Sequence, residues 1–98
     1  MNDSHSDDRI DRLRDEISGI DRAILDAVNA RLALVAELRR YKEEHGIPFL
    51  DPDRERQLLD ELVAANAGPL SESGLREVFG QLLEVVKREV SRDGASGG

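Results

Sequence analysis

Apolar residues recur three and four positions apart through the first half of the chain, at Ile10, Leu13, Ile17, Ile20, Ile24 and Ala27. The same stepping continues through Arg31, Leu34, Leu38 and Tyr41. Spacing of this kind collects on one face of an α-helix and predicts a single long helix from Arg9 to His45. No Pro occurs before Gly46, and the one internal glycine, Gly19, costs only about 1 kcal/mol in a helix interior. Gly46 with Pro48 behind it supplies the stop. Asp51 and Pro52 then open a second helix over residues 52–66, as an N-cap followed by a Pro whose missing N–H costs nothing at the first helical position. Its apolar face is Leu58, Leu59, Leu62 and Val63, and Arg54 and Glu55, one turn earlier, lean toward that face. Asn66-Ala67-Gly68-Pro69 ends it, and Ser71 caps a third helix over residues 71–91 with the face Leu75, Val78, Phe79, Leu82, Val85, Val86 and Val90. No stretch alternates with period two, so the predicted class is all-α: three helices per chain, the first very long. Residues 1–8 and 93–98 read as disordered or flexible tails flanking one helical domain over residues 9–92.

The first helix outgrows the chain that carries it. At ~1.5 Å per residue it is a rod of roughly 50–55 Å, whereas a compact domain of this size has a radius of gyration of about 13 Å. A protruding apolar stripe needs cover, and the simplest cover is a second copy. Composition points the same way: 39% hydrophobic residues, 3% aromatic and 36% charged make a thin core, marginal for a lone domain. There is no Cys, hence no disulfide or thiolate metal site. The acidic, polar start has no apolar run of the signal-peptide kind, and no segment approaches the ~20 apolar residues of a membrane span. The expected compartment is the cytoplasm. A net charge of −7 disfavours nucleic acid, which wants a basic surface.

That acidity makes cations on apolar faces informative. Arg31 falls on the stripe of the first helix, and Lys42, eleven residues on, lies about three turns away on nearly the same face. A buried guanidinium requires an anion, either a carboxylate of the protein or a ligand. Arg14, Arg31, Lys42 and Arg54 stand out by position. Arg14 lies about 25 Å from Arg31 along the helix and points ~100° away from it, so the two converge only if Arg14 comes from an antiparallel copy. Three guanidinium forks and one ammonium suit a small dicarboxylate, with Glu55 left to read a hydroxyl or an amine. Arg12, Arg22, Arg39, Arg40, Arg56, Arg76, Lys87 and Arg88 read as solvated surface charges.

In order along the chain, Leu13-Arg14-Asp15-Glu16-Ile17, Ile20-Asp21, Arg31, Tyr41-Lys42 and Asp51-x-x-Arg54-Glu55 resemble the all-helical chorismate mutases, over Arg12 to about Val90. The resemblance implies an intertwined homodimer with two sites. It implies that Arg14 (acting in trans), Arg31 and Arg54 hold the two carboxylates of chorismate, that Lys42 donates to the ether oxygen, and that Glu55 and the region of Asp51 meet the C4 hydroxyl. The catalytic set would then be Lys42, Arg31 and Glu55. The implied reaction, the unimolecular Claisen rearrangement of chorismate to prephenate in aromatic amino-acid biosynthesis, uses no metal or cofactor. One position departs from the pattern. Where the family usually has a Gln eleven residues after a Phe of the third helix, counting from Phe79 reaches Val90, a hydrocarbon that cannot donate. This opens two possibilities: an enzyme boosted by a larger pathway enzyme, or a different substrate, 4-amino-4-deoxychorismate, whose C4 amine would pair with Glu55. An isochorismate pyruvate-lyase and a non-enzymatic helical dimerisation module are further alternatives.

Overall fold

The computed structural model describes the backbone of residues 2–97 and the side chains of residues 7–92. Three helices follow one another, α1 (Asn2–Glu44), α2 (Pro52–Ala65) and α3 (Glu72–Gly97), with no strand among the described residues. Helical backbone therefore extends past the predicted limits at residues 9 and 91. The sequence of residues 2–8 contains no Pro or Gly to break a helix. The predicted tails, 1–8 and 93–98, fall largely on residues whose side chains lie outside those described. None of the described helices is long and apolar enough to cross a membrane.

The chain divides into two units, Met1–Ala33 and Leu34–Gly98. The first is one stretch of α1. Its apolar positions Ile10, Leu13, Ile17, Ile20 and Ile24 are 45–62% exposed, a continuous stripe with no other element of the unit to cover it.

The second unit holds the end of α1, α2 and α3. Its core is a stripe of α3, Leu75, Leu83, Val86 and Val90, against which α2 packs with half-buried Leu58, Leu59, Leu62 and Val63. The predicted face of α3 is rotated slightly from the observed one. Leu83 is buried and Val78 is exposed, because Val78 falls about 100° from the middle of the buried stripe.

Local chemistry sets the joints. Gly46 takes φ +65, a left-handed conformation that a Cβ disfavours. Ile47 N–H bonds the Lys42 carbonyl at 2.8 Å and Gly46 N–H the Glu43 carbonyl at 3.4 Å, the paired bonds of a Schellman stop. Asp51 caps α2 by accepting from the Arg54 N–H at 3.1 Å, with Pro52 first in the helix. Ser71 Oγ accepts from Gly74 N–H at 3.0 Å at the start of α3.

Candidate active site

Lys42 stands at the end of α1, where the helix turns into the loop 45–51. It is half-buried, and its ammonium donates to the Phe49 carbonyl at 3.3 Å. The chain thus folds back so that the carbonyl of one loop residue meets the last cation of α1. Arg39, one turn earlier, fixes this corner. Its Nη1 donates to the Val90 carbonyl at 2.8 Å, its Nε pairs with Glu43 at 3.2 Å, and its guanidinium lies 5.8 Å from the centre of the Phe49 ring. The sequence pattern places Arg39 in solvent, but it is half-buried, because its stem crosses to α3 at a point 51 residues away in sequence.

On α2 the two residues predicted to lean inward separate. Glu55 does so: its side chain is 30% exposed. Arg54 does not: it is exposed and reaches along its own helix to Glu61 at 3.9 Å. The face packed on α3 is centred on Leu58, Leu59 and Leu62, and Arg54 stands at its margin. Asp51 is exposed and engaged in capping.

Glu55 meets a cation that the sequence pattern assigns to the surface. Lys87 Nζ lies 2.9 Å from Glu55 Oε1 and 3.2 Å from Oε2, and 3.0 Å from Glu84 Oε1. Lys87 follows Val86 on the rim of the buried stripe of α3, so its stem is covered and its side chain is only 25% exposed. The bond to Glu55, then that to Glu84, pushes the Lys87 ammonium above its ordinary value, since both acids favour the charged form. A basic residue immediately beyond an apolar stripe is the only local signal, and several surface lysines and arginines share it. Val90, the position of the departure, is 2% exposed. Its side chain belongs to the core, and its carbonyl serves Arg39.

In the first unit, Arg31 is half-buried and Arg14 exposed on α1. The arrangement in the second unit offers an ammonium seated on a carbonyl, a guanidinium free to swing from a weak ion pair, and a carboxylate already partnered by a lysine. These groups can bind an oxyanion, donate to a developing negative charge and accept from a hydroxyl.

Comparison with known proteins bears on this set. The family model described as chorismate mutase type II matches residues 13–90. The T-protein of Enterobacter agglomerans is 37% identical over 81 residues, 83% of this chain but only 20% of the T-protein's own length. The 4-amino-4-deoxychorismate mutase of Streptomyces venezuelae is 33% identical over 84 residues, covering 85% of this chain and 78% of that protein. Among solved structures, the chorismate mutase of Thermus thermophilus superposes in its form I with a TM-score of 0.78 at 36% identity, covering 80% of this chain and 98% of that one. Its form II gives 0.82 at 34%, covering 86% and 96%. With the match running from the first turns of α1 to the buried end of the α3 stripe, the chain belongs to the type II chorismate mutase family.

Proposed function

We propose that the chain is a chorismate mutase, an isomerase that converts chorismate to prephenate. The family match over residues 13–90 carries this reading, because it spans every residue proposed for the site, from Arg14 to Glu55. The substrate is a dicarboxylate, and Arg14, Arg31 and Arg54 are its clamps. Folding the enolpyruvyl arm over the ring brings the new C–C bond within reach as the ether C–O bond breaks, and the clamps hold that compact conformer. Lys42 donates to the ether oxygen as negative charge grows there, an interaction stronger in the transition state than in the bound substrate. Its half-buried seat at the end of α1 supports this role. Glu55, with the region of Asp51, receives the C4 hydroxyl.

The working form is a homodimer. The uncovered stripe Ile10, Leu13, Ile17, Ile20 and Ile24 supports it, since an apolar face of this extent on a soluble monomer calls for a partner. A second copy laid antiparallel along α1 would bring its own Arg14 to complete the clamp. Conversion of 4-amino-4-deoxychorismate is the second reading, favoured by the likeness to the Streptomyces venezuelae mutase along most of that protein's length. The test is the fall of chorismate absorbance with the purified chain, product identified, beside the same assay on the 4-amino compound. Prephenate from chorismate is expected. Turnover of neither compound would overturn the assignment.

A further inference from the structure

The sequence presents Glu55 as a lone acid among cations, open to whatever group a substrate offers. The fold gives it a partner. Lys87 spans both oxygens of Glu55, at 2.9 and 3.2 Å, and the pair is held where α2 packs on α3, with side chains 25% and 30% exposed. Glu84, the other acid on Lys87, is 72% exposed, so water screens much of its charge. The half-buried part of the cluster is therefore close to neutral.

Neutrality decides which C4 substituent suits the site. An ionised carboxylate offers about four lone-pair positions, and Lys87 uses two of them. A hydroxyl can donate to one that remains, and it brings no charge. An ammonium brings a charge of the same sign as Lys87 into a poorly screened space, where like charges repel. It would meet a carboxylate whose attraction Lys87 has already compensated. We propose that Lys87 sets the substrate preference of this site, acting through Glu55 to favour a C4 hydroxyl over a C4 ammonium. This deepens the mutase reading and rests on it. Lys87 is in this sense a positioning residue: it touches Glu55 and not the reacting bonds, and its effect is on the choice of substrate.

The experiment is a comparison of kcat/KM for chorismate and for 4-amino-4-deoxychorismate in the wild type, in Lys87→Met and in Lys87→Arg. Lys87→Met leaves Glu55 half-buried and uncompensated, so the ratio of chorismate to amino compound should fall by about tenfold or more, the size expected for losing one close charge. Lys87→Arg keeps the charge and should hold the ratio within about threefold of wild type. A general loss of structure would lower both activities together and leave the ratio in place, so the ratio reads specificity and not folding. Should Lys87→Met fail to fold, Lys87→Gln, which keeps the length of the stem, is read in the same way. An unchanged or increased ratio in a folded neutral variant overturns the proposal while leaving the mutase function standing. A wild type inactive on both compounds overturns both.

Discussion

At the scale of single residues, the role proposed for Lys42 is the most direct to test. Removing an oriented donor to a developing oxyanion typically lowers kcat by about 10²–10³, and Lys42→Ala should do so while circular dichroism and the mass in solution stay as in wild type. Turnover near wild type in that variant would remove Lys42 from the mechanism. Lys87 carries a different expectation. Its ammonium is pushed above its ordinary 10.5 by Glu55 and then Glu84, so the folded chain holds this proton more tightly than the unfolded one. The stability this contributes is fully present below the unfolded value and is lost as the pH climbs through the raised one. Urea midpoints taken between about pH 9 and 12 should therefore fall more steeply for wild type than for Lys87→Met. The half-buried placement of Lys42 and Glu55 was legible in the sequence, because each lies next to helix punctuation and toward an apolar face. That of Arg39 and Lys87 was not. Their partners lie 51 and 32 residues away, and helical periodicity places a side chain on a face without saying which element will lie across from it.

At the scale of elements, boundaries written in local chemistry were the easiest to read. Gly46 and Asp51 do their work within four residues of themselves, through backbone N–H groups the sequence already locates. Asp51→Ala should cost about 1 kcal/mol by loss of the α2 cap. Gly46→Ala should cost about 1–2 kcal/mol by forcing a Cβ into the left-handed region. Both are measurable as shifts in the urea midpoint with unchanged slope. The rotation of α3 was harder. Its described apolar residues span an arc of about 160°, wider than the buried stripe, so the pattern admits more than one face, and only the packing of α2 selects Leu83 over Val78. The inward lean of Arg54 failed for the same reason: one turn of spacing from Leu58 leaves a long side chain free to choose Glu61 instead.

At the scale of the whole molecule, the stripe of α1 governs behaviour. A face whose isoleucines are about half exposed should make folding depend on association, so Tm should fall on dilution. Ile20→Asp should drive the protein to monomer in analytical ultracentrifugation and abolish turnover, because a charge would then lie in the shared face. The trans action proposed for Arg14 gives a sharper test. Mixing inactive Arg14→Ala and Arg31→Ala chains should restore part of the activity once subunits exchange, since one of the two sites in a mixed dimer then has both guanidinium groups. No recovery after exchange confirmed by mass would count against the shared site. The need for cover was legible from the length of the helix. What supplies the cover was not, because the sequence of one chain shows an apolar stripe without showing what lies on it.

Lys42 is fastened twice to the same few residues, by its carbonyl to Ile47 and by its ammonium to Phe49. A free lysine side chain gives up roughly 1.5–2 kcal/mol of rotamer entropy when it is held in one conformation. Here most of that loss falls at folding, before any substrate arrives. The ammonium has three N–H groups; the Phe49 carbonyl takes one and leaves two for an incoming acceptor. Loosening the loop, for instance by Phe49→Gly, should therefore appear as a less favourable activation entropy in an Eyring plot, with the activation enthalpy little altered.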